Sequence, residues 1–123
     1  MARILLAEDE EPIRAFARRA LESDGFEVDV APDGIDALGA LKARTYDLLI
    51  TDIMMPGLDG IELALLATQE RPGLPVILMS GFAAQRARAH NLEALIREVV
   101  AKPFSLAEIT AAARRALAPP ATA

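Results

Sequence analysis

The sequence contains no cysteine and no tryptophan, a single histidine and a single tyrosine. Without cysteine there is no disulfide and no thiolate metal site, which agrees with a reducing compartment. With so few aromatic rings the core must be aliphatic and rich in alanine, which lets helices lie close to whatever they cover. Long apolar runs are also missing. None approaches the length needed to cross a bilayer, and the apolar stretch before Glu8 is too short for a signal peptide. The chain is therefore expected to be soluble and cytoplasmic, with no membrane association. Positive charge is in deficit, with 13 Lys and Arg against 18 Asp and Glu and a net charge of −5. Neutralisation of phosphates dominates nucleic-acid affinity, so an acidic chain of this kind is expected to bind no nucleic acid.

What is present is a filled core and a repeating pattern. At 123 residues and 53% hydrophobic content, the chain has the size of one domain and can bury roughly two thirds of its unfolded surface. The pattern centres on residues 46–60, Tyr-Asp-Leu-Leu-Ile-Thr-Asp-Ile-Met-Met-Pro-Gly-Leu-Asp-Gly. Leu48-Leu49-Ile50 is a short continuous apolar run, which predicts a strand buried on both faces. It leads to Asp52, and Pro56-Gly57 then breaks the backbone. Asp52 is thus placed at the carboxyl end of a central strand, the edge where open α/β sheets bind ligands. Taken alone it could be an ordinary turn aspartate.

The rest of the chain repeats this organisation. Residues 3–7 predict a first strand, followed by the acidic turn Glu8-Asp9-Glu10-Glu11. Pro12 suits the first position of a helix, whose apolar face is Ile13, Phe16, Ala17, Ala20 and Leu21, and Asp24-Gly25 stops it. Phe26 to Ala31 predicts the second strand. Ile35, Ala37, Leu38 and Leu41 carry the second helix to about Arg44. Asp59-x-x-Glu62 is a capping signal for the third helix, which runs to about Glu70. Leu74 to Met79 predicts the fourth strand, ending at Ser80-Gly81. A fourth helix is expected from Phe82 to Leu95. Val99 to Ala101 predicts a fifth strand before Lys102-Pro103-Phe104. Ser105 and Glu108 cap a last helix lined by Ile109, Ala112, Ala113, Ala116 and Leu117. Residues 119–123 are expected to be a flexible tail on a domain spanning 1–118.

Strands alternating with helices in this way imply an α/β fold, a doubly wound parallel sheet with right-handed crossovers. Glu8 and Asp9, Asp52, Ser80 and Lys102 then follow strands one, three, four and five, and converge on one edge. Each has a plain alternative: helix-dipole acids for Glu8 and Asp9, a strand-end cap for Ser80, a surface lysine for Lys102. Their convergence carries the argument. Clustered carboxylates repel unless a cation joins them. With oxygen ligands and neither cysteine nor histidine at hand, that cation is expected to be Mg²⁺. Asp9 and Asp52 suit direct ligation, and Glu8 suits ligation through water. A carboxylate nucleophile beside Mg²⁺, a lysine and a hydroxyl is an arrangement for phosphoryl transfer, with Asp52 attacking phosphorus and Lys102 and Ser80 stabilising the oxygens.

These residues, with the run Thr-Asp-Ile-Met-Met-Pro-Gly and the Lys102-Pro103-Phe104 turn, resemble the receiver domains of two-component response regulators, the CheY-like family. The resemblance covers residues 3–118. It implies a five-stranded flavodoxin-like (βα)5 fold with strand order 2-1-3-4-5, and a signalling protein rather than an enzyme. It also implies transfer of a phosphoryl group to Asp52 from a histidine kinase or histidine phosphotransfer protein. Mg²⁺ would be held by Asp9, Asp52 and the backbone carbonyl of Met54, and the Lys102–Pro103 bond would be cis. The runs Arg-Ile-Leu-Leu-Ala-Glu-Asp and Ser-Gly-Phe-Ala-Ala are similar to CpdR-type single-domain receivers, which prime a ClpXP-type protease as phosphorylation-controlled adaptors in cell-cycle control.

Two departures stand out. Val99 occupies a position where the family often has a rotating Tyr or Phe, and the loop before strand five lacks the usual glycine. No effector domain is expected after the last helix. Output is expected through a monomer that binds a downstream protein partner. The alternative is a phosphorelay intermediate that hands the phosphoryl group to another histidine protein. His90 reads as a surface residue. A phosphatase of the haloacid-dehalogenase type would want an aspartate two residues after Asp52, where Met54 stands. Phe82 with Arg86, Arg88 and Arg97 is the expected output surface.

Overall fold

The computed structural model of the chain describes residues 2–81 and 95–118. The expected helix from Phe82 lies outside them apart from Leu95, as do His90, Arg86, Arg88 and the tail at 119–123. Five strands, β1 (Arg3–Ala7), β2 (Glu27–Ala31), β3 (Leu48–Asp52), β4 (Val76–Ser80) and β5 (Glu98–Ala101), alternate with helices α1 (Glu11–Ser23), α2 (Gly34–Ala43) and α3 (Gly60–Glu70), and α4 (Leu106–Leu117) follows β5.

All strand pairs are parallel and the order is β2-β1-β3-β4-β5, as expected. Successive side chains of a strand point to opposite faces, and the sheet sorts its aliphatics accordingly. Leu5, Leu49, Val76 and Leu78 pack with α2 and α3 through Ala37, Leu41, Leu63 and Ala67. Ile4, Leu6, Leu48, Ile50, Ile77 and Met79 pack with α1 and α4 through Ala17, Leu21, Ile109 and Ala113. Both faces are covered, which explains why β3 and β4 are buried along their whole length.

Both capping boxes form. Asp59 accepts from the Glu62 N–H, and Ser105 from the Glu108 N–H. Three local expectations shift. Pro12 is the second helical residue, not the first, because Glu11 already opens α1. Strand β2 starts at Glu27, because the Phe26 N–H is spent on the Leu21 carbonyl at the end of α1. Strand β4 starts at Val76, because Leu74 bonds back to Arg71 in the preceding turn and Pro75 has no N–H to give.

Candidate functional site

Parallel pairing fixes where the strand ends lie. Ala7 pairs with Thr51, Asp52 with Met79, and Ser80 with Ala101. The residues just beyond these ends, Glu8 and Lys102, therefore sit on the same edge as Asp52 and Ser80. The sheet also tethers them by backbone hydrogen bonds. Glu8 donates to Ala31 at 3.1 Å, and Lys102 to the Ser80 carbonyl at 2.8 Å. The Lys102–Pro103 peptide is cis.

Lys102 is the centre of the cluster. Its Nζ lies 2.7 Å from Glu8 Oε2 and 3.1 Å from Asp52 Oδ1. Glu8 is fully buried and Asp52 nearly so, at 4% exposure. Glu8 Oε1 accepts from the Glu10 N–H at 3.1 Å, while Oε2 faces the Lys102 ammonium. Burial lifts the Glu8 carboxyl to about 7. The Lys102 ammonium and the Glu10 N–H oppose that rise, and the Asp52 charge adds to it. Burial also raises Asp52; Lys102 pulls it back down, and the charge of Asp9 raises it. For Lys102 itself burial disfavours the ammonium, but its bonds to Glu8 and Asp52 more than offset this and hold it protonated.

The other expected site residues take different positions. Asp9 is exposed, and the carboxylates of Glu8, Asp9 and Glu10 lie within 4.8 Å of one another. Ser80 is fully buried at the end of β4. Met54 lies past β3 with its side chain exposed. Val99 is partly buried against the core on the α2/α3 face. Two participants were not foreseen. Glu10 was read only as part of the acidic turn, and Arg14 was not singled out. The signal for Arg14 was its i,i+4 spacing from Glu10.

Four strand ends that bring two carboxylates, an ammonium and a hydroxyl to one sheet edge match a known family. Residues 4–114 match the response regulator receiver domain. The chain belongs to the response regulator receiver family. Among relatives, this receiver is 40% identical to the response regulator receiver protein CpdR of Brucella abortus, over 89% of its own length and 91% of that protein. It is 35% identical to the transcriptional regulatory protein TcrA of Mycobacterium tuberculosis over 91% of its length, but spans only 44% of TcrA. Among solved structures, response regulator TrrA of Thermotoga maritima, in complex with Mg²⁺-BeF, superposes with a TM-score of 0.87 at 32% identity, covering 95% of this receiver and all of TrrA. Receiver domains act in signal transduction with histidine kinases, so the receiver is a signalling module and not an enzyme of the ordinary kind. Among the described residues no helix is long and apolar enough to cross a membrane.

The receiver's acidic edge suits a divalent cation. Its donors are all oxygens, the preference of Mg²⁺. The carboxylates of Glu8, Asp9 and Glu10 crowd within 4.8 Å of one another, and Lys102 is the one cation within salt-bridge reach of Glu8 and Asp52 among the described residues, so the edge carries more negative charge than its lysine balances.

Proposed function

We propose that this receiver takes up a phosphoryl group on Asp52 and signals by a change in its affinity for a protein partner. The observation that carries the reading is the bridge of Lys102 between Glu8 and Asp52, at 2.7 and 3.1 Å. It keeps a nucleophilic carboxylate beside a fixed cation at the end of the central strand. An oxygen of Asp52 forms a bond to phosphorus as the P–N bond of a phosphohistidine breaks, and the departing imidazole nitrogen takes up a proton. Lys102 offers charge to the phosphoryl oxygens, and Ser80 a hydroxyl. Asp9, Asp52 and the Met54 carbonyl would hold Mg²⁺, with Glu8 acting through water. When bound, the ion supplies charge neutralisation at the phosphoryl group. The donor would be a histidine kinase or histidine phosphotransfer protein, and the compartment the cytoplasm. Similarity to CpdR supports a single-domain adaptor over residues 1–118, of the kind that primes a ClpXP-type protease.

The test is incubation with acetyl phosphate and Mg²⁺, followed by intact mass. One added phosphate is expected on the parent chain, and none on Asp52→Asn. Equal labelling of that variant would overturn the assignment. A pull-down with and without beryllofluoride then identifies partners that distinguish the two states.

A further inference from the structure

Arg14 stands one turn into α1, yet its hydrogen bonds point back at the turn that carries the acids. Its Nη1 donates to the carbonyl of Glu8 at 2.8 Å and makes a long contact, 3.5 Å, to the carbonyl of Asp9. Its backbone N–H donates to the carbonyl of Glu10 at 2.9 Å. The Glu10 bond is the ordinary first turn of α1, so the guanidinium itself spans two consecutive carbonyls, Glu8 and Asp9. They belong to two of the three residues whose carboxylates crowd within 4.8 Å of one another.

We propose that Arg14 is a positioning residue for cation binding, clamping the backbone of the acidic turn so that Glu8 and Asp9 present their carboxylates in one direction. The proposal rests on the reading of this edge as a Mg²⁺-dependent phosphoacceptor. Three crowded carboxylates repel, and a turn held only at its ends would open. The α1 cap residue, Glu10, makes no side-chain capping bond, so the usual means of fixing a helix start is missing. The guanidinium replaces it from the helix side. Both carbonyls are reached by Nη1 alone, aimed by the rigid guanidinium plane at the end of a long stem, and the shorter, freely rotating lysine ammonium does not reproduce that reach and direction. The clamp is transmitted directly. Glu8 Oε1 is held by the Glu10 N–H at 3.1 Å, so any shift of the Glu8–Glu10 backbone moves the carboxylate itself. Arg18, one turn further along α1, has a different role, since it pairs with exposed Glu22 at 3.4 Å.

The test is Mg²⁺ affinity by titration calorimetry on the full chain, for the parent, Arg14→Gln, Arg14→Lys and Arg18→Gln, with cooperative melting as the check on folding. Removal of a residue that orients metal ligands typically weakens binding 10-fold or more. A loss of about 10-fold is expected for both Arg14 variants, and none for Arg18→Gln. The lysine variant separates positioning from charge, because it keeps the charge but loses the rigid guanidinium plane. Parental affinity in Arg14→Lys would overturn the clamp, and so would parental affinity in a folded Arg14→Gln. If Arg14→Gln fails to fold, Arg14→Lys decides alone. A parent chain that binds no Mg²⁺ overturns the site reading and the clamp together. A parent that binds, with Asp9→Ala weakened and Arg14 variants not, overturns the clamp alone.

Discussion

Gly60 lies so close to Asp52 that the carbonyl oxygen of Asp52 occupies the place a Cβ on Gly60 would take. The Gly60 N–H meanwhile donates to the Ile53 carbonyl at 2.8 Å, closing the loop after β3 onto the first turn of α3. The phosphoacceptor strand and the next helix are therefore in backbone contact, and only glycine fits between them. Gly60→Ala should cost about 1–3 kcal/mol by overpacking, read from urea midpoints. Gly39, in the interior of α2 with nothing within 4 Å of its missing Cβ, is the opposite case. Gly39→Ala should stabilise by about 0.5–1 kcal/mol. Equal effects at the two sites would contradict the packing described.

Removal of Lys102 should leave Glu8 and Asp52 buried without their cation. Stranding buried charge typically costs about 3–5 kcal/mol, and Lys102→Ala should fall toward that range in chemical denaturation without Mg²⁺. Adding Glu8→Gln removes one of the stranded charges. The double variant should then be more stable than Lys102→Ala alone. A double variant that is less stable would show that the ion pair is not what holds this edge together.

The Tyr46 hydroxyl donates to Asp29 at 2.7 Å and anchors the chain two residues before β3 to the edge strand β2. That bond holds the Asp29 carboxyl below its ordinary value, against the effect of burial and with help from Arg44. Burial, followed by the Asp29 contact, pushes the Tyr46 phenol up to about 12. A carboxyl depressed in the folded state contributes stability above its unfolded pKa, and this is lost as pH falls through the folded value. A phenol raised in the folded state contributes below its unfolded value of 10.0, and this is lost as pH rises toward about 12. Tyr46→Phe should therefore cost about 1 kcal/mol near neutrality. The gap to the parent should narrow in acid below about pH 4 and again in strong alkali. A gap constant across pH would separate the hydroxyl from Asp29.

The lifetime of the phosphorylated form should depend on Met54. Hydrolysis needs a water in line with phosphorus, opposite Asp52. Met54 stands two residues after Asp52, exposed, and its thioether orients water poorly. The companion position, Phe82, lies outside the described residues. Met54→Asn should shorten the half-life of labelled protein, and further with Phe82→Glu. Decay no faster than in the parent would remove both residues from that role.

The sequence alone determined the alternation of strands and helices and which polar residues stand at the strand ends, Glu8, Asp52, Ser80 and Lys102. Leu48-Leu49-Ile50 and the β4 run are too continuously apolar for anything but strands covered on both sides, and in a parallel sheet that forces their ends to one edge. Asp59-x-x-Glu62 and Ser105-x-x-Glu108 act within four residues, so local spacing was enough to place both helix starts. The tertiary structure decided everything that depends on which groups meet. Lys102 reaches Glu8 and Asp52 because three distant strands end side by side, and the Glu8 carboxyl rises because the sheet buries it; neither is a property of neighbours in sequence. By spacing alone Arg14 and Arg18 are equivalent, arginines one turn apart on α1. Only the path of the acidic turn, folded back over the start of the helix, turns one of them toward the site and leaves the other in solvent.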